Sequence, residues 1–326
     1  MRHRSIRQSA KAMGYVISQV IAHGQAVKEF QLRRQDGTAL PDWQSGSHIV
    51  VHFKDADGGA LERHYSLVGA AGATDTYRIV VQREDSGKGG SRRLHEAYAA
   101  GSEITIDGPF NSFPLNAAGA RVLLIAGGIG ITPLVSMAHA LSAAGQPFAL
   151  HYLARSTERL VLLDELRALP HASIVLHIAD QSGRADLGAL LGPYQDGDSL
   201  YSCGPAPLLQ GLAEAGAQQG WPADALHFES FGARTQQDDG PLTVELSLSE
   251  MTVEVQPGTS ILAALLAADA FVSYDCQRGE CGKCYTLVLS GQPLHRDICL
   301  TPEMRATGMC TCVSWATAPG HLVLEI

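Results

Sequence analysis

The sequence lacks a signal peptide, an excess of basic residues and an uninterrupted apolar run long enough to cross a membrane. Its first eleven residues are positively charged, but no apolar segment follows them, so we expect a cytoplasmic protein. The net charge of −9 argues against nucleic acid as the main partner, because phosphate binding requires a basic face. The most apolar stretch, 122–154, is interrupted by glycine and proline. It therefore predicts buried strands joined by glycine turns and a helix, and not a membrane span.

The 326 residues, 45% apolar and 17% charged, have a globular composition that suits two or three domains. In 13–116, β-branched runs such as 46–53 and 77–82 predict a small antiparallel β-barrel. In 117–232, short apolar strands alternate with helical stretches, which predicts a parallel, doubly wound α/β sheet. The predicted strands are 122–126, 148–153, 173–178 and 199–202, and the predicted helices are 134–144, 160–168, 184–191 and 207–219.

A polar, unpatterned segment at 233–241 is predicted to be a linker. The last part, 242–326, has two alternating strands, a helix at 260–268 and a cysteine-rich loop. Hairpin, helix and cysteine loop follow one another in the order of a β-grasp (α+β) ferredoxin module. We therefore predict three domains: 13–116, 117–232 and 242–326.

The cysteine loop predicts a 2Fe–2S cluster. Cys276, Cys281 and Cys284 have the C-x4-C-x2-C spacing of plant-type clusters, which need four thiolates, two for each iron. A zinc site would favour a second C-x2-C pair, which the sequence lacks. The fourth ligand is either Cys310 or Cys312: two residues apart in an extended strand, both side chains would face the same way. The residues alone leave this choice open.

Two motifs in the first domain are compatible with flavin binding. Arg63-His64-Tyr65-Ser66-Leu67 resembles the R-x-Y-S-L motif of the ferredoxin reductase superfamily, in which a strand supplies a guanidinium for phosphate, a ring for the isoalloxazine and a hydroxyl near N5. About two dozen residues later, a glycine-rich turn that includes Gly89, Gly90 and Ser91 precedes a helix, whose free N–H groups attract anions. Each motif alone has an ordinary alternative: a strand with one exposed side chain, or a flexible loop.

A third motif, in the second domain, predicts nicotinamide binding. The turn Gly127-Gly128-Ile129-Gly130-Ile131-Thr132-Pro133 lies between a predicted strand and a predicted helix. It is not the G-x-G-x-x-G fingerprint, but its glycines would likewise admit a pyrophosphate to a helix N-terminus. The alternative is a tight strand–helix turn without a ligand.

Together, these motifs resemble the phthalate dioxygenase reductase family over about residues 13–326. The resemblance implies that Cys312, which precedes Val-Ser, is the fourth cluster ligand and that the flavin is FMN rather than FAD. It also implies that Cys203, Gly204 and Pro205 lie beside the nicotinamide, Arg155 and Ser156 near the adenosine, and Phe231 near the flavin. Ser66 and Cys203 are therefore the candidate catalytic residues. One departure is Phe110, where relatives often have the arginine of Gly-Pro-Arg-Asn.

The implied function is that of the reductase component of a two-component Rieske-type oxygenase. Electrons would pass from NADH through FMN and the 2Fe–2S cluster to the oxygenase partner, and relatives suggest a monomer. We favour NADH over NADPH because no cluster of arginines for a 2′-phosphate is evident. The alternatives are an FAD-containing reductase for another acceptor, a cluster-bearing redox sensor and a zinc-stabilised binding module.

Overall fold

The computed structural model describes residues 14–54, 58–85, 89–116, 121–231, 239–274, 276–317 and 320–326. The chain divides into two compact units. The first contains the described residues up to Gly204 together with Ala215–His227, and the second contains Pro205–Glu214 and Phe228–Ile326. Among the described residues, no helix is long and apolar enough to cross a membrane.

The first part of the chain forms the predicted antiparallel barrel. Its sheet has the strand order β4-β3-β6-β1-β2-β5, and a bridge between Leu67 and Ile79 joins the two outer strands. Tyr15, Phe30 and Tyr77 are almost completely buried in its core. The elements are β1 (Gly14–His23), β2 (Val27–Arg34), β3 (Ser47–Lys54), β4 (Ala60–Ser66), β5 (Tyr77–Gln82), α1 (Gly90–Ala97) and β6 (Glu103–Asn111).

The next part forms the predicted doubly wound α/β sheet, in the order β11-β10-β7-β8-β9. The pairs β10–β7, β7–β8 and β8–β9 are parallel, and the central strand β7 is buried along its whole length. The strands are β7 (Val122–Gly127), β8 (Phe148–Ala154), β9 (Ala172–Ile178), β10 (Ser199–Cys203) and β11 (Leu226–Glu229). The helices are α2 (Ile131–Ala143), α3 (Leu163–Arg167), α4 (Ala179–Ser182), α5 (Leu187–Leu191) and α6 (Ala206–Gln218).

Two of these helices are shorter than predicted, for local reasons. The predicted helix 160–168 begins only at Leu163, because Leu162 has a left-handed backbone with φ 60°. The predicted helix 184–191 begins only at Leu187, because the Asp186 side chain caps it by accepting a hydrogen bond from the Ala189 N–H. Neither change affects the order of strands.

The last part forms the predicted β-grasp fold. Its main sheet has the order β13-β12-β18-β14-β16, with β12 and β18 parallel. Ser260 caps the helix α7 by accepting a hydrogen bond from the Ala263 N–H. The elements are β12 (Leu242–Leu246), β13 (Met251–Val255), α7 (Ile261–Ala267), β14 (Tyr285–Ser290), β15 (Pro293–Leu294), α8 (Pro302–Thr307), β16 (Gly308–Cys310), β17 (Trp315–Ala316) and β18 (His321–Leu324).

The domain boundaries at 13–116, 117–232 and 242–326 stay predictions. Most of the predicted linker 233–241, namely 233–238, lies outside the described residues. Residue 13, 117–120 and Gly232, at the predicted boundaries, lie outside them as well.

An ion network joins the barrel to the helices of the parallel sheet inside the first unit. Arg78 on β5 donates to Glu29 on β2, with Nε to Oε1 at 2.8 Å, and to Glu165 on α3, with Nη2 to Oε2 at 2.9 Å. His139 on α2 approaches the other Glu165 oxygen at 2.8 Å. A buried hydrogen bond from the Gly46 N–H to Ser136 Oγ, at 3.0 Å, joins the same two parts.

Candidate functional site

The predicted phosphate end of the flavin site is brought together as expected. A Cβ atom at Gly90 would lie only 2.8 Å from Arg63 Nε and 3.1 Å from Phe53, so a larger residue there would shift Arg63 from its place against the first turn of α1. Gly89 caps that helix with φ 81°, a left-handed conformation that favours glycine. An arginine beside a helix N-terminus without acidic residues fits a phosphate.

The four motif residues of β4 lie on two faces of the strand. Alternation places Arg63 and Tyr65 on one face and His64 and Ser66 on the other. Tyr65 packs against the barrel core, and burial raises its pKa above the ordinary value, so the phenol stays neutral. The His64 ring stacks on His48 of β3, with centroids 5.2 Å apart. The buried Ser66 pairs with His48 across the strands.

Ser91, the last residue named in the glycine-rich motif, contacts the segment that precedes the helix. Its hydroxyl accepts a hydrogen bond from the Glu84 N–H at 2.9 Å, while α1 has no side-chain cap. Ser91 therefore holds the preceding loop against the helix. Gly87 and Lys88, from the same motif, lie outside the described residues.

The predicted nicotinamide turn connects β7 to α2. Gly128–Gly130 form a short 3₁₀ turn, and α2 begins at Ile131. Thr132 and Pro133 lie in its first turn, where the Thr132 hydroxyl donates to the Ile129 carbonyl at 3.1 Å. Beside Gly128, which has φ 56°, no atom of the described part of the chain lies within 4 Å of the position that a Cβ would occupy. The turn therefore leaves open space at the helix N-terminus, as a pyrophosphate requires.

Gly130 brings this turn against Cys203. A Cβ at Gly130 would lie 2.2 Å from the Cys203 carbonyl oxygen and 2.8 Å from the Gly204 nitrogen. The turn and Cys203 lie at the carboxyl ends of the adjacent parallel strands β7 and β10. β8 and β10 flank β7 on opposite sides. The strand order therefore reverses at the carboxyl end of β7, and doubly wound sheets bind ligands at such a switch point. Cys203 is fully buried.

Of the remaining predicted contacts, Arg155, Pro205 and Phe231 are exposed and Ser156 is half-buried. The Arg155 side chain is 78% exposed and lies 3.7 Å from Asp180, at the carboxyl end of β8. Ser156 precedes a short 3₁₀ turn. Pro205 precedes α6, and Phe231, two residues after β11, is 42% exposed. The roles of these residues, like those of the flavin and nicotinamide motifs, stay predictions.

The cysteine loop directs backbone amides at its first thiol. Burial raises the pKa of Cys276 to about 11, but the N–H groups of Arg278, Glu280 and Cys281 point to its sulfur and oppose this rise. Gly279 and Gly282 have φ 72° and 71°, in the left-handed region that favours glycine. A side chain at Gly279 would also collide with Val313 at 2.6 Å. Amides that converge on one sulfur fit an iron-bound thiolate.

The cysteine sulfurs lie in two pairs. Cys276 and Cys281 are within hydrogen-bonding reach of each other, and the sulfurs of Cys284 and Cys312 are 3.2 Å apart. The neighbouring thiols of Cys310 and Cys312 lower the pKa of Cys284 to about 3, which favours the thiolate that binds iron. Two pairs fit a cluster with two thiolates for each iron. The Cys310 thiol also lies within hydrogen-bonding reach of Cys284. Among the described residues, no group of three or more His, Cys, Asp or Glu side chains is arranged to hold a metal ion.

Cys310 and Cys312 differ in backbone environment, contrary to the expectation that they share one extended strand. Cys310 is the last residue of β16 and pairs with Tyr285, whereas Cys312 lies in the turn 311–313. Cys310 also approaches Cys299, with the sulfurs 3.8 Å apart.

The chain is similar to electron-transfer proteins of known class. Residues 244–317 match the family model of the 2Fe–2S iron–sulfur cluster binding domain. The chain is 36% identical over 303 residues to the carnitine monooxygenase reductase subunit of Acinetobacter pittii, covering 92% of this chain and 98% of that one. It is also 36% identical over 296 residues to the vanillate O-demethylase oxidoreductase of a Pseudomonas species, covering 89% and 92%.

Solved structures agree with this class. Phthalate dioxygenase reductase, described as a modular structure for electron transfer from pyridine nucleotides to 2Fe–2S, matches with a TM-score of 0.70 and 31% identity, over 96% of this chain and 98% of its own. A cytochrome P450 from Tepidiphilus thermophilus matches with the same TM-score and 33% identity, but this chain spans only 42% of its length.

The fold and the cysteine loop define an iron–sulfur oxidoreductase. Within that class, the chain belongs to the phthalate dioxygenase reductase-like family, whose named relatives are reductase subunits of oxygenase systems. The resemblance inferred from the motifs is thereby confirmed.

Sequence reasoning missed the side chains that surround the cysteine loop. Glu229 is 1% exposed, and burial raises its pKa to about 8 although the nearby Arg278 opposes the shift. Arg278 and Glu280 lie inside the loop. A charged pair within a cysteine motif was the available signal, but its partner Glu229 lies too far away in the sequence to be assigned.

Proposed function

We propose that the chain is the reductase component of a two-component Rieske-type oxygenase, and that it conveys electrons from NADH through FMN and a 2Fe–2S cluster to that oxygenase. It acts as a cytosolic monomer. The observation that supports the proposal is that three sets of predicted site residues lie close together on one chain: Arg63 against Gly90, Gly130 against Cys203, and the paired sulfurs of the cysteine loop. Membership of a family of oxygenase reductases supports the identity of the acceptor.

The groups and the residues have separate tasks. When bound, the nicotinamide supplies an electron pair, the flavin accepts it and releases single electrons, and the cluster carries one electron at a time. The chain binds and orients these groups. Arg63 and the α1 N-terminus hold the flavin phosphate, the neutral Tyr65 packs near the ring system, and the turn at Gly127–Pro133 holds the pyrophosphate.

Cys203 and Ser66 are the residues that we place next to the reacting atoms. Cys203 is fixed by the backbone approach of Gly130, so its position depends on the nicotinamide turn itself. Ser66 is buried at the end of β4. Both side chains are small and uncharged, which leaves room for stacked rings and supplies no competing acid or base.

The test begins with the purified protein and its bound flavin. Chromatography of the released flavin should give FMN, and NADH should reduce the protein much faster than NADPH. NADH-dependent reduction of cytochrome c should follow. The variant Cys281→Ser should keep NADH-dependent reduction of ferricyanide, which the flavin can perform alone, and lose reduction of cytochrome c. A colourless protein, or one that NADH does not reduce, would overturn the proposal, and FAD in place of FMN would correct it.

A further inference from the structure

A buried carboxylate lies next to the cysteine loop with little to balance its charge. Glu229, the last residue of β11, is 1% exposed, and neither of its carboxylate oxygens has a hydrogen-bond partner among the described residues. Arg278 provides its charge partner, with Nη1 lying 3.3 Å from Oε1. Because burying a carboxylate is costly unless it is paired, this contact fixes Arg278 relative to the end of β11.

A second acid holds the same arginine. Arg278 Nε lies 3.2 Å from Glu280 Oε2, and the other Glu280 oxygen accepts a hydrogen bond from the Ser230 N–H at 2.5 Å. The Glu280 side chain is 8% exposed and that of Arg278 is 19% exposed. We call Glu229, Arg278 and Glu280 the loop clamp. It ties the loop to the backbone at Ser230 as well as to the Glu229 side chain.

Two residues of the loop clamp, Arg278 and Glu280, also contact the first ligand through their backbones. The N–H groups of Arg278 and Glu280 both point to the Cys276 sulfur, and for Arg278 the nitrogen-to-sulfur distance is 3.4 Å. A side chain that fixes these two residues therefore also fixes two N–H···S contacts. Hydrogen bonds to the sulfurs are among the factors that set the potential of an iron–sulfur cluster.

We propose that Glu229 is a positioning residue for the iron–sulfur cluster, which acts through Arg278 to hold the backbone amides of the cysteine loop on the Cys276 thiolate. The inference rests on the proposed function only in that Cys276 binds the cluster. It assigns the clamp an effect on the potential and retention of the cluster, and none on the reduction of the flavin by NADH.

The deciding variant is the double replacement Glu229→Gln with Arg278→Gln. At about pH 9, above the pKa of Glu229 of about 8, this double variant removes one charge of each sign. A purely electrostatic contribution of the pair then largely cancels, while the ion pair that holds the loop is lost. The cluster potential should become more negative because the N–H···S contacts loosen, and iron release to a chelator should become about 10–100-fold faster, the usual scale for such outer contacts. Potentials are measured by dithionite titration followed by EPR, on the holoprotein.

The matched control is Asp239→Asn with Arg296→Gln. This pair is similarly buried, with the Asp239 and Arg296 side chains 5% and 12% exposed. Its replacement likewise removes one negative and one positive charge. Potential and iron release should stay at wild-type values. An equal effect in the control, or an unchanged potential and iron release in Glu229→Gln/Arg278→Gln, would overturn the proposal.

A conservative variant covers the case in which the double variant does not fold. Arg278→Lys keeps the charge but loses the fork that contacts two acids, so iron release should be faster than in the wild type; an unchanged rate would contradict the proposal. If dithionite reduces the wild-type cluster but NADH does not, the proposed function would be contradicted. The titrations would still test the role of the loop clamp.

Discussion

At the scale of single residues, the fourth cluster ligand depends on the backbone more than on sequence spacing. Cys310 is held in β16, where its neighbours Met309 and Gly308 pair with β14. Cys312 lies in a turn, with its sulfur 3.2 Å from Cys284. A residue in a turn can adjust to a metal without breaking a strand pair. We therefore retain Cys312 as the predicted ligand, and assign Cys310 to the buried surroundings of the site.

Serine replacement tests this assignment. Cys310→Ser should keep the cluster, because a hydroxyl can occupy the same buried site, whereas Cys312→Ser should lose it, because iron in this site needs a fourth thiolate. Iron and sulfide content, with the visible absorption of the purified protein, measure the outcome. Cys203→Ser, at a distance in sequence from the loop, serves as the control and should have full iron content. A colourless Cys310→Ser protein with a normal Cys312→Ser protein would reverse the assignment.

Gly130 offers a second test at this scale. In Gly130→Ala, the new Cβ would lie 2.2 Å from the Cys203 carbonyl oxygen, so the turn or β10 must move. We expect a loss of about 1–3 kcal/mol in the free energy of unfolding, typical of overpacking, and a higher KM for NADH with ferricyanide as acceptor.

The control for this variant is Gly188→Ala. Gly188 lies in α5, and its nearest neighbour would be 3.4 Å from the new Cβ, an ordinary contact. Stability should be unchanged or about 0.5–1 kcal/mol higher, because alanine favours helix over glycine. Wild-type stability and KM in Gly130→Ala would show that the close approach to Cys203 has no role.

At the scale of elements, the sequence allowed prediction of those features that local patterns control. Alternation in 242–255 predicted a hairpin, which is present, and the helix predicted at 260–268 is observed at Ile261–Ala267. The left-handed Leu162 was not predictable, because leucine rarely adopts that conformation.

Contacts between distant elements were not predictable either. Arg78 and Glu165 are 87 positions apart, and no local pattern connects them. The close approach of Gly130 to Cys203 likewise follows from the order of strands in the sheet. The motifs could therefore suggest candidate site residues, whereas the contacts between them required the folded structure.

The Arg78 network predicts a loss of stability in acid. Burial opposes ionisation of Glu29 and Glu165, but hydrogen bonds from His23, His139 and Arg78 outweigh it and lower both pKa values to about 2. Because the folded pKa values lie below the unfolded value of about 4.3, the stabilisation is complete above that pH and is lost as the pH falls toward 2. The free energy of unfolding, from urea titrations between neutral pH and about pH 3, should decrease accordingly.

Arg78→Gln tests the cause of that slope. It should lower the free energy of unfolding by about 3–5 kcal/mol at neutral pH, because Glu29 stays buried without its partner, and it should flatten the acid slope. Arg83→Gln, which breaks an exposed pair with Asp85, should cost about 0–1 kcal/mol and keep the slope. An Arg78→Gln protein with the wild-type slope would show that other carboxylates determine the acid response.

At the scale of the whole molecule, charge constrains the acceptor. The net charge is −9, and residues 242–326 contain nine Asp or Glu against four Lys or Arg. An acidic cluster domain is steered toward a basic partner surface, and such steering weakens as salt shortens the range of charge interactions, to about 8 Å at physiological ionic strength. We therefore expect an oxygenase with a basic docking face.

Cytochrome c, a basic one-electron acceptor, makes this expectation measurable before the oxygenase is identified. NADH-dependent reduction of cytochrome c should slow steadily as ionic strength rises, mainly through a higher KM, because association and not chemistry is screened. Reduction of ferricyanide, a small anion that the acidic surface repels, should be unchanged or faster over the same range. Both assays depend on NADH and flavin. A parallel decrease in the two rates would therefore place the salt effect at the nicotinamide or flavin step and refute an acidic docking face. Opposite responses would place the salt effect at electron transfer from the cluster to the acceptor.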